Sequence, residues 1–155
     1  MKSYKLDTMD RQILMLLQED AKRTNKEISN RLGLSVTAVY ERIKKLEREG
    51  VIKGYVALLD KHKIQKSFMA LCHIKLVKHS KEYVTRFESE IFKFSEVSEC
   101  YHVSGDYDYI IKVYVENMKA YREFIITKLT ALDYIGSTHS NFVIGELKNS
   151  TAISL

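Results

Sequence analysis

The chain has 155 residues, 45% of them hydrophobic, with 25 basic side chains against 20 acidic ones and a formal net charge of +5 at pH 7. That length suits one ordinary domain or two compact ones, the apolar content calls for a folded core, and the modest positive excess permits a polyanionic partner without demanding one. No apolar run approaches the length needed to span a bilayer, so no membrane partner is expected and a cytoplasmic location is the default.

The opening helix is predicted to start at Asp7 as cap, with Asp10 near its positive end. Met9, Ile13, Leu16 and Leu17 supply its apolar face through about Glu19. Thr24 followed by Glu27 forms a capping box for a short helix through Leu32, and Gly33 supplies a tight turn. Ser35 then caps a helix over 36–49, with Val36, Val39, Ile43 and Leu46 inward and Thr37, Tyr40, Glu41, Lys44, Lys45 and Arg48 outward. Such a pair of helices is a helix-turn-helix, whose second helix is shaped to enter a DNA major groove. A charged outer face also serves an ordinary solvated helix. What favours DNA is the sequel, where Val51, Ile52 and Tyr55 around Lys53 and Gly54 suggest the strand and turn of a winged form. A strand is predicted over 55–59 and a polar hinge over 60–66.

From Ser67 the period changes to two. Phe68, Ala70, Cys72, Ile74 and Leu76 share one face of a strand, and Met69, Leu71, His73 and Lys75 the other. Ser80 caps a helix facing inward through Val84, Phe87 and Ile91. Strands follow over 97–103 and 109–115, joined through Ser104, Gly105 and Asp106. Met118, Tyr121, Ile125, Leu129 and Leu132 mark a second helix, and a last strand occupies 136–145. The order is β-α-β-β-α-β, a ferredoxin-like arrangement. The expected fold is therefore α+β, with a winged helix-turn-helix over 1–60, a hinge over 61–66 and a ferredoxin-like domain over 67–155. The sheet face without helices carries apolar area and calls for a dimer or larger assembly. The tail from Glu146 is a final short strand or an oligomer contact. Cys72 and Cys100 lie in strands without metal-ligand spacing and read as buried free thiols.

Residues for DNA contact sit on the second helix of the pair. Ser35, Thr37 and Ala38 occupy its start, where backbone N–H groups meet phosphate and hydroxyls reach a base or the backbone, although Ser35 is first of all a cap. Tyr40 and Glu41 are candidates for base edges, with pairing to Lys44 or Lys45 the competing role for Glu41. Lys44, Lys45 and Arg48 suit phosphates. Arg42 either contacts DNA or pairs with Glu27 or an acidic residue of the first helix. Lys53 is a wing contact or a plain surface lysine.

The whole pattern resembles the Lrp/AsnC family, the leucine-responsive or feast/famine regulators. Three segments carry the likeness: LDTMDRQILMLLQEDAKRTNKEISNRLGLSVTAVYERIKKLEREGVIKGY, ECYHVSGDYDYIIKVYV at 99–115, and MKAYREFIITKLTALDYIGSTHS at 118–140. The resemblance spans about 6–148. It implies a sequence-specific transcription regulator that binds double-stranded DNA as a homodimer and assembles to a tetramer or octamer, with a small amino acid modulating assembly or DNA affinity. The family commonly has proline after the serine that begins the second helix and at the place of Thr130, and this chain has neither.

By the same resemblance the effector lies near Gly105 and Asp106. A backbone N–H at this turn suits a carboxylate, and Asp106 an α-ammonium. Asp108, Thr138, His139 and Ser140 are weaker candidates, while Tyr101, Tyr107 and Tyr109 line a pocket or pack in a core or interface. His62, His73, His79, His102 and His139 have no ligand spacing; His102 with Asp106 and Asp108 is the best available metal or acid-base cluster. No cofactor, metal or enzymatic activity is expected. Two other readings stay open: an architectural DNA-binding protein with low sequence selectivity and no required effector, and an amino-acid-sensing interaction module without DNA binding.

Overall fold

Three short helices build the start of the chain, and each begins at a side chain that accepts a hydrogen bond from its first turn. The computed structural model describes residues 4–155; Met1, Lys2 and Ser3, included in the N-terminal domain reading, lie outside them. Helix α1 (Thr8–Glu19) opens on Asp7, which accepts from the Asp10 amide at 2.7 Å while the Asp10 carboxylate accepts from the Asp7 amide at 3.3 Å. Helix α2 (Asn25–Leu32) has the predicted box: the Glu27 amide donates to Thr24 Oγ1 at 3.2 Å and the Thr24 amide donates to Glu27 at 2.7 Å. Gly33 closes α2 at φ +65°, a left-handed conformation that glycine adopts without a Cβ penalty. Helix α3 (Val36–Arg48) opens on Ser35, whose hydroxyl accepts from the Ala38 amide.

Ile13, Leu14, Ile28, Val39, Ile43 and Leu46 are the buried core of this unit. Val36, expected inward, is exposed because it stands in the first turn of α3, ahead of Val39 where burial begins. After α3 the chain turns at Gly50, and the Val51 and Ile52 amides both donate to the Leu46 carbonyl, at 2.9 and 3.1 Å. The strand expected over 55–59 is not formed in the single chain. That stretch is irregular, with Val56 and Leu58 exposed, because alternation alone supplies no neighbour to pair with. The stretch read as a hinge is a hydrogen-bonded turn, with the Lys63 amide on the Asp60 carbonyl and the Lys66 amide on the Lys61 carbonyl.

The second unit consists of β1 (Phe68–Leu76), α4 (Lys81–Ile91), β2 (Val97–His102), β3 (Tyr109–Val115), α5 (Met118–Phe124), a π-helical turn (Ile125–Leu129) and β4 (Ile135–Phe142). Its sheet order is β2-β3-β1-β4 with every neighbouring pair antiparallel. This is the arrangement that β-α-β-β-α-β dictates, and the protein is α+β. Ala70, Cys72, Ile74 and Leu76 of β1 and Ile111, Val113 and Val115 of β3 face Phe87 and Ile91 of α4 and Tyr121, Phe124 and Leu129 beyond β3. The opposite sheet face pairs Leu71 with Lys112 and Asn141, and His73 with Ile110 and His139. The second long helix was expected to be regular; instead its ladder widens, with the Thr130 amide on the Ile125 carbonyl at 2.8 Å. Cys72 is buried as expected, but Cys100 is exposed, since β2 lies at the sheet edge.

The two units comprise Met1–Leu58 with Lys148–Leu155, and Leu59–Leu147. The last eight residues, read from sequence with the second domain, thus pack with the first, and no strand forms among them. Among the described residues, no helix is long and apolar enough to cross a membrane.

Candidate functional site

Helix α3 places its functional side chains by burying Val39, Ile43 and Leu46, which leaves Thr37, Tyr40, Glu41, Lys44, Lys45 and Arg48 exposed on the other side. Ser35 serves as cap, and Ala38 gives its amide to that cap. Arg42 is withdrawn from the outer face. Its Nη1 lies 2.6 Å from Asp7 Oδ2 and 2.6 Å from Asp10 Oδ1, so one guanidinium bridges the cap of α1 and its buried Asp10. Tyr4 donates to the same Asp10 at 3.3 Å. The Asp10 amide and the Arg42 guanidinium together hold the Asp7 carboxyl below its ordinary value, and the two aspartates in turn raise Arg42. Of the alternatives open for Arg42, the structure takes the pair with α1; Glu27 is committed to Thr24 instead.

The remaining charges sort themselves around this anchor. Lys44 pairs with Glu47 at 2.8 Å and lies over the Tyr40 ring at 5.9 Å. The hydrogen bonds of Lys44 and then Tyr55 lower the Glu47 carboxyl, while burial and Glu47 push the Tyr55 phenol up to about 12. Lys45 stands over the Tyr4 ring at 5.2 Å. Arg48 reaches Glu49 at 3.9 Å. Glu41, for which pairing with Lys44 or Lys45 was the competing role, makes no ion pair among the described residues. It lines a shallow depression of about 350 Å³ with Asp7, Arg42, Lys45 and Arg48. Lys53 is exposed just past Ile52. This surface presents the Thr37 hydroxyl, the Tyr40 phenol and the Glu41 carboxylate with the cations of Lys44, Lys45 and Arg48 beside them, a set that matches base edges and phosphates.

The glycine-aspartate turn lies at the tip of β2 and β3. Gly105 has φ +130°, a conformation that side chains resist, and it and Asp106 are exposed. Asp108 has a structural task. Its amide donates to the Ile74 carbonyl at 2.9 Å, and its carboxylate accepts from the Leu76 amide at 2.8 Å and meets His79 Nδ1 at 2.8 Å. Partial burial pulls the Asp108 carboxyl upward, but the Leu76 amide and His79 outweigh it and hold it low. The β4 candidates divide. His139 is on the helix-free face, with its ring 6.1 Å from His73 and 6.3 Å from Tyr107. Thr138 and Ser140 lie on the helix side, opposite Ile74 and Cys72, and Tyr121 donates to Ser140 at 2.7 Å. The proposed acid-base trio does not assemble: His102 stacks on Tyr109 at 4.6 Å and Asp108 turns to His79. His73 is the residue that the sequence reading left out of the set beside Tyr107 and His139; the strand register sets it opposite His139, with its ring 5.2 Å from that of Tyr107.

Residues 6–53 match the winged helix-turn-helix DNA-binding family and residues 69–153 match the Lrp/AsnC ligand binding domain. The chain is 39% identical over 148 residues to the leucine-responsive regulatory protein of Klebsiella pneumoniae and 38% identical to that of Escherichia coli K12, in each case covering 96% of this chain and 90% of the relative. Among solved structures, a transcriptional regulator of Neisseria meningitidis in complex with L-Met superposes with TM-score 0.92 at 30% identity, covering 96% of both chains. An AsnC family regulator of Agrobacterium tumefaciens gives 0.91 at 35% identity, again over 96% of both. With a capped recognition helix anchored through Arg42 and a ferredoxin-like second unit ending its hairpin on Gly105, the chain belongs to the Lrp/AsnC family and is a DNA-binding transcription regulator.

Proposed function

We propose that α3 reads a specific operator from a cytoplasmic homo-oligomer, and that a small amino acid held near Gly105 and Asp106 sets its assembly or DNA affinity. The observation that carries the DNA half is the outer face of α3, where Glu41 has no partner among the described residues while Arg42 is held inward. Thr37, Tyr40 and Glu41 are the base-reading set; Ser35, Ala38, Lys44, Lys45, Arg48 and Lys53 hold the backbone. Assembly is supported by the helix-free face of the sheet, where Leu71, Ile110 and Tyr114 are only half-buried in the single chain. The L-Met complex of the Neisseria relative makes methionine the first amino acid to try.

The test measures binding to the protein's own upstream DNA and to an unrelated fragment of equal length, at fixed salt, with and without each common amino acid. Wild type is expected to prefer the upstream fragment. Glu41→Ala is expected to shrink that preference by about tenfold, in the range of one lost base contact. Lys45→Ala is expected to weaken both fragments alike and to lower the salt slope by about 1. Asp106→Asn is expected to abolish the response to amino acid and leave the preference intact. Equal binding to both fragments, unchanged by any amino acid, would replace this reading with an architectural one.

A further inference from the structure

The last residues of the chain make a contact that neither DNA reading nor ligand binding uses. Gln18, exposed on the outer side of α1, grips the backbone of Ile153 with both ends of its side-chain amide. Its Nε2 donates to the Ile153 carbonyl at 3.0 Å, and its Oε1 accepts from the Ile153 amide at 2.7 Å. One planar amide thus satisfies the donor and the acceptor of a single residue, as a neighbouring β-strand would. Around the grip lies a groove of about 420 Å³ formed by Met15, Gln18 and Glu19 on one side and residues 152–155 on the other. The Ala152 amide donates to Ser150 Oγ at 3.2 Å, a local turn just ahead of the gripped residue. The Ile153 side chain remains 73% exposed, so its burial is not what holds the tail.

A second observation fixes where this tail departs. Lys61 pairs with Glu146, one near the beginning and the other near the end of the second unit. The chain enters and leaves that unit at one clip, and then residues 148–155 return to the first.

We infer that α1 is a docking surface for residues 152–155 of its own chain, read through the backbone of Ile153 by Gln18. The tail is then a second tether on the DNA-binding unit, beside the connection through 59–66. Its recognition is indifferent to the side chain at 153 but needs the N–H there, and that distinguishes it from an apolar contact.

The full-length protein labelled with ¹⁵N tests this through amide heteronuclear NOE and hydrogen exchange. In wild type, residues 150–155 are expected to have NOE values close to those of α1, and the Ile153 amide to exchange at least several-fold more slowly than that of Ser154. Ile153→Ser is expected to keep this order. Ile153→Pro, which deletes the N–H, and Gln18→Ala, an exposed helix substitution that Ala tolerates, are expected to release the tail to values typical of a free terminus. Circular dichroism checks that α1 stays helical. A wild-type tail as mobile as a free terminus would overturn the inference. So would tail release in Ile153→Ser, or unchanged order in Ile153→Pro or Gln18→Ala.

Discussion

Among the described residues, the first unit surrounds six buried apolar residues with helix caps and ion pairs, whereas the second packs fourteen buried residues between a sheet and its helices. In the first, the recognition helix is positioned by a charge: Arg42 spans 2.6 Å contacts to both Asp7 and Asp10. In the second, the glycine-aspartate turn is positioned by the sheet itself, through the β3 register and the Asp108 contacts to Ile74 and Leu76. A small core fixes few directions, because three short helices share only a handful of interdigitating side chains. A directional bridge between α1 and α3 supplies what the apolar contacts leave loose. A four-stranded sheet needs no such bridge, since every paired residue constrains its neighbours.

Four measurements sharpen or break this contrast, each read unit by unit through amide protection in urea. Phe87→Ala should be the most severe, at about 3–5 kcal/mol, because Phe87 is fully buried against Tyr109 at 4.3 Å and leaves a cavity. Its loss should fall on the second unit alone; an equal loss in α1 to α3 would mean that the two cores do not melt separately. Arg42→Ala should cost about 2–3 kcal/mol in the first unit, less than for a fully buried pair because Arg42 is partly solvated, since it strands the buried Asp10. A loss under half of that would show that apolar packing alone positions α3. Thr24→Ala should cost about 1 kcal/mol and fray the start of α2.

The smallest effect is in the pH dependence. Asp7 and Glu27 have folded values below their ordinary 3.8 and 4.5, so their stabilisation is complete well above 4.5 and is lost as the pH falls through the folded values. The first unit should therefore weaken progressively below about pH 4.5. Asp7→Asn should flatten that slope, and an unaltered slope would remove Asp7 from the account.

What could be read from the sequence was local. Asp7, Thr24 and Ser35 announce their helices because each cap and its target amide are three residues apart. The period-2 run at 68–76 likewise declares its two faces without help from elsewhere. Errors arose where a distant partner decides. Alternation over 55–59 suggested a strand, but pairing needs a neighbour that the single chain does not supply. Cys100 has the right parity for the core, yet parity says nothing of whether its strand is central or at the edge. The candidates Thr138, His139 and Ser140 looked like one patch in sequence, and the pleat sends the middle one to the other face. For Arg42 the sequence left DNA, Glu27 and an acid of the first helix all open, because the choice depended on Glu27 being used up in its own capping box.

The widened turn at Ile125–Leu129 is a place where the second unit can lose a residue. Its extra residue per turn carries Leu129 into the core while Ile126 stays outside. Deleting that one residue would restore an ordinary helical repeat and leave the later positions in phase. The same deletion within β1 would offer β3 and β4 a strand with its faces exchanged. The irregular 53–58 stretch has no pairing register to lose. Insertions and deletions among relatives should accordingly collect at 53–58 and, as single residues, at 125–129, and be missing from β1.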